Sequence, residues 1–247
     1  MADLVLAEDT KRASLAASRW GVPLSRLACF NDHNEGDKLA QVLDRLRRGE
    51  NLALISDAGM PGISDPGFLL VRSCREAGLP VSVVPGPSAP LIALVGSGIA
   101  PQPFTFLGFL PRKEGEISKI VAPFADLQTT LIFFERKDRL PGSLRILFER
   151  LGPRQVCVAM ELTKTHEEFL LFRLESLPDL GSILGEVTVV IGPPEQKIRN
   201  GEAEVRAILQ EEAAGGGSAK QIVKRSQARL TGWTGSEIYS MFLELGH

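Results

Sequence analysis

From residue 3 to residue 192, short apolar runs alternate with stretches of helical periodicity, and few folds accept that rhythm. It begins with DLVLAED (3–9), passes through a helical pattern ending near Arg19, and returns to an apolar run at ACFN. Such alternation is the mark of βαβ units, whose strands line up in a sheet with helices covering it. Between Glu35 and Arg48 the apolar positions Leu39, Val42, Leu43 and Leu46 fall on one helical face, and Gly49 stands where a helix stops. NLALISD (51–57) predicts a strand buried on both faces, as parallel strands are. A helix over 66–77 and a strand VSVVP (81–85) follow, and the periodicity lapses at APQP, which predicts a first α/β domain over 1–103.

The rhythm resumes with FTFLGFL (104–110), a helix over 114–124, TTLIFFE (129–135) and a helix over 138–151 with Leu140, Leu144, Leu147 and Leu151 on one face. QVCVAME (155–161), EEFLLFRL (167–174) and EVTVVIG (186–192) predict three more strands, giving a second α/β domain over 104–195. Beyond Pro193 and Pro194 the strand pattern is gone. Helices over 202–212, 218–230 and 235–245 predict a small helical module over 200–247, with Gly215, Gly216 and Gly217 as a flexible linker inside it.

Composition excludes several classes. Hydrophobic residues at 44% and charged residues at 23% match a globular chain. No apolar run reaches the roughly 18 residues of a membrane span, and charge enters the N-terminus too early for a signal peptide, so a cytoplasmic protein is expected. Cys29, Cys74 and Cys157 are odd in number and far apart, which predicts buried free thiols rather than disulfides. Three scattered histidines without an HExxH spacing predict no metal site. Neither GxxxxGK[ST] nor a GxGxxG after a strand occurs, which removes kinase and P-loop readings, and no GxSxG elbow signals a covalent nucleophile. The net charge of −2 means that a nucleic-acid partner has to be argued from local charge.

Chemistry concentrates in the loops. SDAGMPGISDPG (56–67) leaves the C-terminal end of a strand, where ligands bind in open α/β sheets. Its glycines admit close backbone approach, and Asp57 and Asp65 either accept hydrogen bonds from a ligand's hydroxyl or amino groups or cap the turn and the next helix. VPGPSA (84–89) repeats the strand-to-helix arrangement, with Ser88 placed to cap. FFERKDRL (133–140) and MELTKTHEE (160–168) put charged residues at two further strand ends.

Taken in order, LAEDTKR (6–12), DHNE (32–35), ISDAGMPGISDPG (55–67), VPGPSA (84–89), GFLPRK (108–113), FFERKDRL (133–140), ELTKTHEE (161–168) and GEVTVVIG (185–192) resemble the bacterial 16S rRNA cytidine 2′-O-methyltransferases of the tetrapyrrole methylase superfamily. The resemblance spans nearly the whole chain and rests most on SDAGxPxISDPG, FLPxK and ELTK. It implies two α/β domains with S-adenosylmethionine (AdoMet) in the cleft between them, a homodimer, and methylation of a cytidine ribose in the decoding region of 16S rRNA, within the small ribosomal subunit. It further implies cofactor contacts from Asp57, Ala58, Gly59, Ile63, Asp65, Pro87, Ser88, Ala89, Phe134, Leu162 and Thr163. One departure is expected to matter: the family has a strand and a TPIGNLxDIT-like loop ahead of ADLVLAEDT, and this chain starts at Met1 inside that junction.

AdoMet carries its methyl on a sulfonium, so transfer to an alcohol needs alignment first, with a base or a stabilising cation second. Glu135, Glu161 and Lys164 are the candidates, with a structural ion pair between Glu161 and Lys164 as the alternative. For RNA, residues 218–239 carry Lys220, Lys224, Arg225 and Arg229 against Glu237 alone, with Trp233 and Tyr239 close by. That segment either grips phosphate and stacks a base or is a solvated basic helix whose aromatics pack inward. Arg112 and Lys113 form a second cationic candidate. Two other functions stay in view: a small-molecule tetrapyrrole-type methylase, and a non-catalytic RNA-binding or assembly factor. The basic tail favours RNA, and a cofactor titration separates enzyme from binder.

Overall fold

The computed structural model describes residues 2–24, 26–181, 183, 185–195 and 200–245. They fall into two compact units, Met1–Pro194 and Glu195–His247.

The first unit opens with strand β1 (Leu4–Ala7), helix α1 (Thr10–Trp20), β2 (Leu27–Cys29), α2 (Glu35–Arg47) and β3 (Leu52–Ile55), a parallel sheet in the order β2-β1-β3. The Asp9 carboxylate starts α1 by accepting from the N–H groups of Lys11 and Arg12 at 2.8 and 3.2 Å, and Gly21 ends it in the left-handed region. Leu4, Leu6, Phe30 and Val42 bury against Leu70 and Cys74 of α3 (Phe68–Glu76). β1 is buried along its whole length, whereas β3 is only half-buried, contrary to the strand buried on both faces expected at 51–57.

The reason lies at its edge. Among the described residues β3 pairs with β1 alone, and 81–85 is not a strand as VSVVP predicts: no described strand pairs with it, and Val83 and Val84 are 68% and 80% exposed. β-branched composition marks a segment that suits a sheet, but a neighbour has to be there for it to pair with.

The second sheet holds β4 (Phe104–Phe109), β5 (Thr130–Arg136), β6 (Gln155–Met160), β7 (Glu168–Arg173) and β8 (Glu186–Ile191) in the order β4-β5-β8-β6-β7. Only β4 and β5 are parallel; β8 runs antiparallel between β5 and β6. Alternation divides its side chains between two faces. Leu131, Phe133, Val156, Val158 and Val189 pack under α5 (Glu114–Val121) and α6 (Leu140–Leu151), with the predicted leucine stripe of α6 fully inward. Ile132, Cys157, Ala159 and Val190 meet Ala93 and Leu94 of α4 (Ala89–Ser97) on the other face. Gly96 of α4 permits this packing, since a Cβ there would lie 2.3 Å from the Phe169 ring.

Arg154, fully buried, donates to the carbonyls of Leu151, Gly192, Phe124 and Ala125 and so fastens three chain segments at one end of this sheet. Cys74 and Cys157 are buried free thiols, the latter pushed up to about 11 by burial, and Cys29 is half-buried. No helix among the described residues is long and apolar enough to cross a membrane, and no described cluster of His, Cys, Asp and Glu could hold a metal ion.

The second unit consists of α7 (Glu202–Ala214), α8 (Ala219–Arg229) and α9 (Gly235–Glu244) around Val205, Leu209, Ile222, Ile238 and Phe242. Gly215–Gly217 is a fixed turn rather than the flexible linker its composition suggests. The Arg225 guanidinium donates to the carbonyls of Glu212 and Gly216 at 2.8 and 2.9 Å, and Gly216 and Gly217 take φ of +75° and +118°.

Candidate active site

Loop 56–67, which follows β3, is shaped by positive φ at Gly59, Gly62 and Gly67. Gly67 also sits so close to Leu54 that a Cβ would lie 2.5 Å from its Cδ2. Having no side chain, Gly67 leaves the start of α3 uncapped, and the cap comes from elsewhere: buried Glu35 accepts from the N–H groups of Gly67 and Leu70 at 3.2 and 3.1 Å. Asp65 is thereby spared that role. At the second loop, Ser88 is the N-cap of α4 by its backbone only; its hydroxyl makes no capping bond, contrary to expectation.

These two loops and the end of the second sheet enclose a cleft of about 300 Å³. One wall is Ala58, Gly59, Met60, Ile63, Ser64 and Asp65, with Ser88, Ala89 and Pro90 beside it. The other is apolar, with Phe109, Phe134, Ala159, Leu162 and Val187, and carries Glu161, Lys164, Glu186 and Thr188 at its polar end. The Phe109 and Phe134 rings lie 5.2 Å apart, and Phe106 meets Phe134 edge-on at 5.0 Å.

Backbone strain gathers here. Among the described residues the non-glycine positions with positive φ are Ser64, Glu161 and Thr163, at +59°, +47° and +65°. The first two line the cleft and the third sits between two residues that do. Side chains held in this sparsely populated region mark sites where the surrounding structure imposes a geometry.

Carboxylates gather near the ends of the first sheet's strands, and of them Asp65 lines the cleft. Burial, followed by the neighbouring charges of Asp65, Asp57 and Asp32, holds the Glu8 carboxyl above its ordinary range. Asp65 is raised in the same direction by burial first and then by Asp32 and Asp57, against the lowering effect of a hydrogen bond with Ser56. A small cation entering beside Asp65 would relieve that repulsion.

Of the residues predicted for cofactor binding, Ala58, Gly59, Ile63, Asp65, Ser88, Ala89, Phe134 and Leu162 line the cleft. Asp57, Pro87 and Thr163 flank it. Asp57 turns toward α1, accepting from the Asp9 N–H at 3.3 Å and pairing with Arg12 at 3.4 Å, and the Thr163 N–H donates to Glu167. Glu161 and Lys164 face the cleft as a pair, 3.0 Å apart.

Glu135 stands apart from them. Fully buried, it accepts from the Ser143 hydroxyl at 2.6 Å and the Arg136 N–H at 2.9 Å, with Arg139 3.4 Å away. Arg139 in turn donates to the carbonyls of Leu110 and Pro111, so this carboxylate braces the loop that carries Arg112 and Lys113, both exposed.

Met60, Ser64, Pro90, Phe109, Ala159, Glu186, Val187 and Thr188 also line the cleft, and the sequence motifs do not single them out. Phe109 lies within the GFLPRK motif, which points to its basic residues instead. Glu186–Thr188 open a strand, whereas parallel sheets carry their sites at strand ends; because β8 is antiparallel, Thr188 stands opposite both Phe134 and Ala159.

In the second unit, Arg225 and Arg229 are held by Glu212, and Arg229 also by Glu211, at 2.7 to 2.8 Å. Trp233 is half-buried and donates its indole N–H to the Asn200 carbonyl. Lys220 and Lys224 are exposed, with no ion pair among the described residues.

Comparison with known proteins adds a second line of observation. The sequence profile of the Tetrapyrrole (Corrin/Porphyrin) Methylases matches residues 1–178. The chain is 37% identical over 249 residues to a protein of Mesorhizobium japonicum named ribosomal RNA small subunit methyltransferase I, covering 99% of this chain and 83% of that one. A Thermotoga maritima protein of the same name is 38% identical over 196 residues, covering 78% of this chain and 87% of its own. Among solved structures, the methyltransferase CobJ matches with a TM-score of 0.57 at 18% identity over 80% of this chain and 96% of its own. Diphthine synthase matches with a TM-score of 0.53 at 13% identity over 76% and 89%. At those identities the structural matches establish the shared fold.

Proposed function

The chain belongs to the tetrapyrrole (corrin/porphyrin) methylase family, and from that premise we propose that it is an AdoMet-dependent methyltransferase that methylates the ribose 2′-hydroxyl of a cytidine in 16S rRNA, at the decoding region of the small ribosomal subunit. The observation that carries the reading is the reach of the rRNA-methyltransferase likeness. The family profile ends at residue 178, while the likeness to the Mesorhizobium protein takes in 99% of the chain and with it the helical unit. A small-molecule methylase reading leaves that unit without a role.

The cleft suits the cofactor chemically. Its apolar wall of Phe109, Phe134, Leu162 and Val187 fits an adenine ring, the open backbone at Gly59 and the unused Ser88 hydroxyl offer polar contacts, and Asp65 favours a cationic group. AdoMet supplies a methyl group already activated by positive sulfur. The protein's part is alignment and charge: Lys164 stabilises the oxygen as its proton leaves, and Glu161 orients that ammonium and accepts the proton directly or through water. Arg112 and Lys113 guide RNA phosphates toward the cleft, on a loop held by Arg139 and Glu135.

The reading includes a homodimer working in the cytoplasm, for which Leu91 and Val95 of α4, 48% and 79% exposed, offer apolar surface. Incubation with radiolabelled AdoMet and either naked 16S rRNA or small subunits tests the activity. Label is expected in the rRNA with one or both substrates, and failure with both overturns the reading.

A further inference from the structure

In the second unit, one face of α8 and one face of α9 line a groove. Lys220, Val223, Lys224 and Gln227 come from α8, and Gly235 and Tyr239 from α9. The spacings i, i+3, i+4, i+7 on one helix and i, i+4 on the other put each set on a single side. The charges of this unit are sorted around the groove. Arg225 and Arg229 are occupied by Glu211 and Glu212, whereas Lys220 and Lys224 stand exposed at the groove without an ion pair among the described residues. Tyr239 is 45% exposed beside them.

The start of α9 opens into the same place. Its cap is a reciprocal box, in which the Glu237 N–H donates to the Thr234 hydroxyl oxygen while the Glu237 carboxylate accepts from the Thr234 N–H and hydroxyl at 2.7 and 2.8 Å. The one carboxylate of this turn is thus drawn into the cap, and the Gln227 side-chain amide lies beside Gly235, where a Cβ would stand 3.3 Å from its Oε1. Two ammonium groups and an exposed aromatic ring therefore share one groove.

We infer that this groove binds single-stranded RNA, with Lys220 and Lys224 on successive phosphates, Tyr239 stacked on a base and Gln227 within reach of a base edge. An aromatic face beside two lysines suits an unpaired strand, whose bases are free to stack; a duplex keeps its bases stacked inside. The proposal rests on the rRNA-methyltransferase reading for its choice of partner and deepens it, because it narrows the tail's expected RNA contacts to Lys220, Lys224 and Tyr239 and leaves out Arg225, Arg229 and Trp233. Trp233 serves the fold instead, through its bond to Asn200.

The test uses the full chain and a fluorescent single-stranded RNA of about 12 nucleotides, long enough to offer successive phosphates and a base to stack. Affinity is measured against salt, with circular dichroism as the check on folding. For Lys220→Gln/Lys224→Gln, the slope of log affinity against log salt is expected to shrink by about 1.4, or about 0.7 for each phosphate no longer neutralised. Arg229→Gln should keep the parent's slope. Tyr239→Ala should weaken binding about tenfold and Tyr239→Phe should restore it, since stacking needs the ring and not the hydroxyl. Parent-like slope and affinity in the folded lysine and alanine variants would overturn the groove, as would equal binding to a blunt duplex. Those results leave methyl transfer by the parent untouched. Groove-dependent binding in a chain that transfers no methyl to rRNA would instead support the groove and sink the methyltransferase reading.

Discussion

Lys164 Nζ lies 3.0 Å from Glu161 Oε1, and Glu161 is held at φ +47° on the turn that ends β6, so the pair is presented to the cleft by strained backbone. An ammonium so placed is suited to a developing alkoxide, and its contribution should appear in turnover rather than in cofactor affinity. Lys164→Ala is expected to lower kcat about 10²-fold while AdoMet affinity stays within about twofold of the parent, and Lys164→Arg should recover part of the loss. Isothermal titration and steady-state kinetics on the same preparations check both halves. Unchanged kcat in the alanine variant would return the pair to a structural role.

Glu35 connects α2 to α3 through two backbone N–H groups that Gly67 has no side chain to satisfy. Glu35→Ala leaves those donors buried and unpaired, and should cost about 1–3 kcal/mol in urea unfolding. Glu35→Gln keeps an acceptor and should cost less. Because the same residue fixes the end of loop 56–67, AdoMet affinity should fall with stability.

The raised carboxyls of Glu8 and Asp65 set a pH dependence. An acid whose folded pKa exceeds its unfolded value favours the protonated folded state, so its contribution to stability is full below the unfolded pKa and is lost as pH rises through the folded one. A cationic ligand favours the ionised form, so AdoMet affinity should rise with pH through that window, just above the ordinary carboxylate range. Asp65→Asn should flatten this rise and weaken binding at neutral pH. Titrations across mildly acidic pH check it, and the neutral thioether product should show a smaller dependence than AdoMet.

Arg154 serves the carbonyls of Leu151, Gly192, Phe124 and Ala125 at once. Arg154→Met fills similar volume but leaves those acceptors without their donor, and should destabilise the first unit by about 3 kcal/mol or more. Below the variant's melting range, AdoMet affinity should be unaffected. Denaturant unfolding followed by titration separates the two effects.

Local pattern makes much of this molecule legible. The leucine stripe of α6 announces itself by spacing, the strands of the second sheet by their continuous apolar runs, and both loops of the cleft by their Gly/Pro/Asp composition. What eludes the sequence depends on partners far along the chain. VSVVP has the composition of a strand and lacks a neighbour, Glu186–Thr188 reach the cleft because β8 runs backward between β5 and β6, and the glycines of 215–217 are fixed by an arginine nine residues beyond Gly216. Glu135 invites a chemical role because it ends a strand, yet the Ser143 hydroxyl and Arg139 take up its carboxylate inside the protein. Charge by itself cannot tell the occupied arginines of α8 from its exposed lysines.

Transfer of methyl from AdoMet to a cytidine ribose of 16S rRNA is the chemistry proposed for the cleft. The measurement that meets it most directly is nucleoside analysis of 16S rRNA after incubation of small subunits with the protein and isotope-labelled AdoMet. The label is expected in 2′-O-methylcytidine from the decoding region, and a substrate carrying 2′-deoxycytidine at that position should take up none. Label on a cytosine ring, on another nucleoside, or nowhere in the rRNA would contradict that assignment.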